Sequence, residues 1–202
     1  MEVWLLASAA AALAGGALGF GMFRRSRARS RWESVLEAAQ ALLPGARIST
    51  SDAPELRAEL EGRTVSLRIE DASAGADLAT ARAFVRLAPS AESLKLWIGW
   101  DVEPPEDWAH VPEASLGPTA LDENLWARAE PTAVAQPAWE EVRWDLVDVR
   151  REAQAVSVHL GARAGHLELA LDGIVASAAL VERLAKSAVG AARALEGLER
   201  KS

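Results

Sequence analysis

Two histidines and a glutamate stand on either side of a glycine-rich turn in the sequence. His159 precedes the turn, and His166 and Glu168 follow it, in flanks that alternate between apolar and polar residues. Alternation predicts two paired strands, on which these side chains share the outward face with Ser157. Depending on the loop length, His159 opposes His166 or Glu168. Two imidazoles and a carboxylate could bind a zinc-like ion or support hydrolysis.

A zinc site needs a third or fourth protein ligand and hydrogen-bonding groups that orient the ligands. The sequence supplies neither beside His159, His166 and Glu168, so solvent-exposed polar positions on a hairpin are the favoured interpretation. A metal-binding or hydrolytic enzyme centred on this hairpin stays as the alternative function. We predict no cofactor and assign no catalytic residue.

Several other chemistries lack their usual residues. The 202 residues contain no cysteine, which removes disulfides, thiol nucleophiles and iron–sulfur clusters. The sequence has no glycine-rich phosphate loop between a strand and a helix, and no G-x-S-x-G. Residues 1–31 hold five arginines and one acid, so the remainder carries 17 basic and 28 acidic side chains. This acidity argues against a nucleic acid partner, since affinity for phosphate backbones comes from clustered Lys and Arg.

Tryptophan is the dominant aromatic residue, with eight copies against three phenylalanines and no tyrosine. Six of them lie in or beside the middle of the chain: Trp97, Trp100, Trp108, Trp126, Trp139 and Trp144. Trp97 and Trp139 fall in periodic runs and are predicted to be core residues. Trp108 lies in a proline- and acid-rich loop over residues 101–118. It either contacts a protein partner or tucks back onto the domain.

The amino terminus has the pattern of a membrane anchor. Residues 3–23 carry no charge, and as a helix they would span roughly 31 Å, close to the thickness of a bilayer core. Basic residues follow this span and would lie at the membrane surface: Arg24, Arg25, Arg27, Arg29 and Arg31. A cleaved signal peptide would instead carry its positive charges before the apolar run. We therefore predict a single-pass protein, in a bacterial inner membrane, with its amino terminus outside and its body cytoplasmic.

Small residues recur at every fourth position of this span, at Ala7, Ala11, Gly15 and Gly19. This spacing lets two helix backbones approach closely, so a homodimer through the span is one interpretation. Alanine is frequent enough in the chain for the spacing to arise by chance. The domain boundaries expected from these patterns are an anchor over 1–23, a basic segment over 24–31 and an acidic cytoplasmic domain over 32–202.

The acidic domain combines helical and strand periodicity. Apolar spacing predicts an amphipathic helix over 32–43, and alternation predicts a hairpin over 56–60 and 65–69 with its turn at Gly62-Arg63. Further strands are expected over 81–87 and 94–100, so that the first half forms a four-stranded meander. A short strand could follow near 125–129.

The second half is predicted as a helix, a hairpin and a final helix. One face of the first helix carries Trp139, Val142, Leu146 and Val149. The hairpin covers residues 156–160 and 167–171. The final helix begins after Gly173, and its apolar heptad stripe is expected to pack on the sheet rather than form a coiled coil. The whole is an α+β domain with mostly antiparallel strands in the order α-ββββ-α-ββ-α.

This element order is similar to that of the secretion-chaperone-like and YbjN-like domains, over roughly residues 32–198. The resemblance rests on element order and acidity, and it implies a dimeric protein-binding module without catalysis. We therefore expect a non-catalytic cytoplasmic module of the adaptor or chaperone type, with a protein partner that the sequence does not identify.

Overall fold

The computed structural model describes residues 31–49, 54–72, 78–119 and 124–199. These residues form an α+β fold with three helices and one eight-stranded antiparallel sheet, so the predicted α+β class is confirmed. The helices are α1 over 31–40, α2 over Ala135–Ala153 and α3 over Ala178–Glu199. The strands are β1 Arg47–Ser49, β2 Glu55–Leu60, β3 Arg63–Asp71, β4 Ala79–Arg86, β5 Lys95–Trp100, β6 Leu125–Glu130, β7 Ser157–Arg163 and β8 His166–Ile174.

Two strands extend the predicted order. The element order is α1, β1 to β6, α2, β7, β8 and α3, so six strands precede α2 instead of four. One of them, β6, lies where the sequence suggested a possible short strand near residues 125–129. Strand β1 has only three residues, with Ile48 between Arg47 and Ser49. That length is too short to show the alternation from which strands are predicted.

Both predicted hairpins are present. Leu60 pairs with Arg63 around the turn Glu61–Gly62, one residue earlier than predicted, and Arg163 pairs with His166 around Ala164–Gly165. All four turn residues have φ between 51° and 77°. Two-residue hairpin turns need this left-handed backbone because it matches the twist of the flanking strands.

The predicted four-stranded meander is wrong at its last step. All strand pairs are antiparallel, and the sheet order is β1-β2-β3-β4-β8-β7-β5-β6. The β7–β8 hairpin therefore lies between β4 and β5, which the sequence had placed side by side. The connection over 87–94 is not a tight two-residue turn, so local patterns do not decide whether β4 and β5 pair.

The three helices share a core with one face of the sheet. Helix α3 packs on β3, β4 and β8, and α2 packs on β5 to β8 and on α3. Trp139 of α2 and Leu36 of α1 are fully buried in this core. Within α3 the predicted heptad residues Val181, Ala188 and Leu195 are buried there too, which confirms packing on the sheet.

The predicted start of the last helix needs correction. Ile174, the first residue of its heptad stripe, is the final residue of β8, and α3 begins only at Ala178. The regular spacing between Ile174 and Val181 therefore crosses a loop. Both residues are buried in the same core, which is why one apolar pattern continues across two elements.

The predicted localisation is also corrected. Across the described ranges, no helix is both long enough and apolar enough to cross a membrane. The finding does not support a single-pass anchor with the amino terminus outside and the body cytoplasmic. Helices α2 and α3 each carry several charged side chains on the surface opposite their buried face.

Part of the amino-terminal prediction falls on residues 1–30, outside the described residues. These are the uncharged run over 3–23, its small residues Ala7, Ala11, Gly15 and Gly19, and the basic residues Arg24, Arg25, Arg27 and Arg29. Arg31, the last of the five arginines, is exposed in α1, and its guanidinium carbon lies 4.8 Å from the centre of the Trp32 ring.

Candidate functional site

The sheet face opposite the helices, here called the open face, carries the predicted hairpin residues. Towards one end of this face, Trp97 of β5 lies directly across from Gly161 of β7. A Cβ atom at Gly161 would be 3.5 Å from the Trp97 ring, so the ring lies over the bare backbone of that strand. Trp97 is buried as predicted, although in a small cluster on the open face rather than in the main core.

Four side chains in successive contact form a row across the open face, beginning at Trp97. The His159 ring stacks on Trp97 with centres 4.3 Å apart and an angle of 23° between the planes. Nε2 of His159 is 3.6 Å from Oε1 of Glu168. Nη1 of Arg82 donates a 2.5 Å hydrogen bond to the same carboxylate oxygen. Strands β5, β7, β8 and β4 each contribute one member of this row.

The environment of Glu168 favours its ionised form. Partial burial would by itself raise the pKa of this carboxyl group, but His159 and Arg82 stabilise the carboxylate more strongly. The pKa of Glu168 is therefore lowered from 4.5. The carboxylate acts as a fixed acceptor between Arg82 and His159, and this state suits a structural bridge better than a proton donor.

The structure divides the three residues that the sequence grouped together. His159 and Glu168 are neighbours, but across the hairpin His159 opposes Ala170 and His166 opposes Arg163. His166 is exposed, and its Nδ1 lies 3.0 Å from the carbonyl oxygen of Ala164. Within the described ranges no three His, Cys, Asp or Glu side chains are grouped closely enough to hold a metal ion.

The loop over 101–118 folds back over one end of the open face. Trp108 is only 6% exposed, with its ring centre 5.6 Å from that of Trp97, and Val111 completes the cluster. Asp107 accepts a 2.6 Å hydrogen bond from Arg163. Trp108 was predicted either as a partner contact or as a residue tucked onto the domain. In the structure its ring is tucked onto the domain.

A different tryptophan is at the surface. Trp144 of α2 is 60% exposed, although Trp139 in the same helix is fully buried. The buried positions of α2 recur every three or four residues, and Trp144 stands five positions after Trp139, on the outer side. The helical phase at Trp144 was the sequence signal that could have identified this exposed side chain.

Charged residues surround Trp144. Glu140 and Glu141 lie one helical turn before it and Asp148 one turn after it, which places all three on its side of the helix. The guanidinium carbon of Arg143 is 5.1 Å from the centre of the Trp144 ring. These five residues, Glu140, Glu141, Arg143, Trp144 and Asp148, are called the α2 outer surface.

Comparison with known proteins adds no relative. The chain matches no protein-family model, and no curated protein is similar enough in sequence to count as related.

Proposed function

We propose that this chain is a non-catalytic protein-binding module and that the α2 outer surface contacts its partner. The observation that carries the proposal is the 60% exposure of Trp144 on a helix whose opposite side is anchored in the core. Tryptophan is among the residues most enriched at the energetic centres of protein interfaces. A helix anchored in this way presents the ring with little loss of conformational entropy on binding.

The charges around the ring support a partner of a definite chemistry. Glu140 and Glu141 give this patch an acidic border, with Arg143 beside the ring, whereas Asp148 is ion-paired with Arg151 at 2.9 Å. A partner segment with a lysine or arginine next to an apolar side chain would match it, because complementary charges steer association. An incoming cation could also stack on the Trp144 ring, as Arg143 already does at 5.1 Å.

The enzymatic alternative gains no support from the described residues. His159 and Glu168 are engaged with Trp97 and Arg82, and His166 lies apart from them. The hairpin that carried the alternative thus holds an ion-paired, ring-stacked row of side chains. We therefore propose the binding function alone.

The proposal is tested by in-cell crosslinking of the full chain followed by affinity capture and mass spectrometry. Trp144→Ala should abolish recovery of the partner without changing the fold, since the removed ring is mostly in water. Val175→Ala is the matched control, because Val175 is 67% exposed in the loop between β8 and α3. Equal recovery of the same partner with both variants would refute a binding role for the α2 outer surface.

A charge test adds a second arm. Glu140→Lys combined with Glu141→Lys should weaken capture if the partner segment is basic, and the loss should be smaller at high salt. Recovery of only a second copy of this chain would identify the partner as a homodimer subunit. Unchanged recovery by the charge-reversed variant would contradict the basic partner chemistry.

A further inference from the structure

We propose that a cleft at one end of the sheet, where Arg86 and His166 meet, binds the phosphate or carboxylate group of a small organic ligand. This inference does not depend on the proposed protein-binding function. The cleft lies between the β2–β3 turn, the end of β4 and the outer side of α3. Its volume is about 740 Å³, and cavities of this size are typical of small-molecule sites.

Two basic side chains from adjacent strands line this cleft. Arg86, at the end of β4, is the direct cross-strand partner of His166, the first residue of β8. Directly opposed residues in an antiparallel pair project to the same side of the sheet about 5 Å apart. No carboxylate in the described part of the chain pairs with Arg86, so its guanidinium can donate a bidentate pair of hydrogen bonds to an anion.

The contact made by His166 fixes one of its protons. The carbonyl oxygen of Ala164 can only accept a hydrogen bond, so Nδ1 of His166, at 3.0 Å, carries the hydrogen. Nε2 is then the ring nitrogen left for a ligand. It can accept a hydrogen bond from the hydroxyl of a protonated phosphate.

The other charged residues of the cleft are mutually paired. Arg63 donates two hydrogen bonds to Glu196, of 2.8 and 2.5 Å, and Arg193 forms an ion pair with Glu61. Glu196 is 3% exposed and also accepts from the backbone N–H of Ala88. Within each pair the positive and the negative charge cancel. Arg86 therefore supplies a local positive excess, in a domain whose remaining charge is strongly negative.

The cleft also has an apolar side. Phe84, two residues before Arg86 on the same side of β4, and Pro89, just beyond the strand, both line it. Phe84 is half-buried, and the guanidinium carbon of Arg68 lies 5.5 Å from the centre of its ring. An aromatic or aliphatic ligand body could rest on Phe84 and Pro89 while its anionic group reaches Arg86. This combination predicts an organic acid or a phosphate monoester rather than a free inorganic ion.

The test is calorimetric titration of the full chain with phenyl phosphate, benzoate, inorganic phosphate and benzyl alcohol. We expect saturable binding of phenyl phosphate, benzoate or both, weaker binding of inorganic phosphate and none of benzyl alcohol. Arg86→Gln should weaken binding by at least about tenfold, which corresponds to about 1.4 kcal/mol. Arg47→Gln is the matched control: Arg47 is an exposed strand arginine that does not line the cleft.

Each outcome has a definite meaning. Binding of phenyl phosphate without benzoate assigns the cleft to phosphate monoesters, and the reverse assigns it to carboxylates. If neither anion saturates at millimolar concentration, the proposal is wrong. Equal affinity of Arg86→Gln and Arg47→Gln, or of benzyl alcohol and phenyl phosphate, would also overturn it. A circular dichroism spectrum checks that Arg86→Gln is folded, and His166→Ala provides a second variant that should weaken binding.

Discussion

At the scale of single residues, the centre of the open face is held together by one carboxylate oxygen. Oε1 of Glu168 contacts both Nη1 of Arg82 and Nε2 of His159. The group is partly buried, so losing the negative charge would leave the Arg82 guanidinium facing a weaker acceptor. The ionisation of this single side chain therefore contributes to the stability of the folded domain.

Stability should depend on pH through Glu168. Its folded-state pKa is lowered from 4.5, so its contribution is complete above about pH 4.5 and is lost as the pH falls through the lower folded-state value. Glu168→Gln should reduce the free energy of unfolding by about 1 kcal/mol near pH 7. The difference in free energy of unfolding between the variant and the unmodified chain should become smaller in acid. Urea unfolding of both proteins, near pH 7 and in acid, measures this difference.

A surface glutamate provides the comparison for Glu168. Glu113 also pairs with an arginine, Arg128 at 3.2 Å, but its side chain is 84% exposed. Glu113→Gln should change the free energy of unfolding by less than about 0.5 kcal/mol at either pH, because water screens such pairs. A loss from Glu113→Gln as large as that from Glu168→Gln would contradict the role given to burial.

What sequence could predict at this scale depends on periodicity. Alternation correctly put His159 and Glu168 on one face, because a strand's side chains must alternate. The pairing of His159 with Ala170 depended on the length of the turn, which alternation leaves open. The exposure of Trp144 was predictable and the burial of Trp108 was not, for a similar reason. Helical phase exposes Trp144, whereas a loop residue such as Trp108 has no phase from which its burial could be inferred.

At the scale of elements, two close contacts join the loop over 101–118 to β5. At Gly99 an added Cβ would lie 2.3 Å from the carbonyl oxygen of Val102 and 2.9 Å from Nε1 of Trp97. Only a residue without a side chain allows the chain to turn back this tightly. Further along, Trp108 fixes the loop to Trp97.

Substitution of the two open-face glycines should therefore give different results. Gly99→Ala forces a backbone atom to move and should destabilise the domain by about 2 kcal/mol. Gly161→Ala places its Cβ at an ordinary 3.5 Å from the Trp97 ring and should cost less than about 1 kcal/mol. Thermal unfolding of both variants measures the difference. Equal melting temperatures would show that the turn after β5 adjusts freely.

Removal of the loop's anchor should loosen the loop. Trp108→Ala removes a side chain that is 6% exposed and should destabilise the domain by about 3 kcal/mol. The loop over 101–118 should also become more sensitive to limited proteolysis near residue 108, although the hydrogen bonds of Arg163 to Asp107 and of Arg128 to the carbonyl oxygen of Val111 remain. Trp144→Ala is the control, because a mostly exposed ring should change stability by less than about 0.5 kcal/mol. Protease resistance that survives Trp108→Ala would show that other contacts suffice.

The sequence predicts those elements and pairings best whose cause lies within a few residues. Two-residue turns with glycine specify the β2–β3 and β7–β8 hairpins directly, because the strands they join must pair. The separation of β4 from β5 has no such local cause. It depends on the β7–β8 hairpin, which follows β5 by more than fifty residues and inserts between the two strands.

At the scale of the whole molecule, the sheet order ranks the strands by protection. Strands β4 and β8 lie in the middle of the sheet order, and α3 covers both of them. Strand β1 is a three-residue edge. Hydrogen exchange followed by mass spectrometry should find the slowest amides in β4 and β8 and the fastest strand amides in β1. Equal protection of β1 and β8 would contradict this ranking.

The order β4-β8-β7-β5 also has a consequence for synthesis. A nascent chain leaving the ribosome presents β4 and β5 long before residues 157–174 exist to fill the gap between them. During that interval two strand edges stand open, and open edges pair readily with other chains. Residues 157–174 thus close the centre of the sheet. A stop codon shortly before residue 157 would release two unjoined sheet fragments and an exposed apolar face, a product that quality-control proteases should remove.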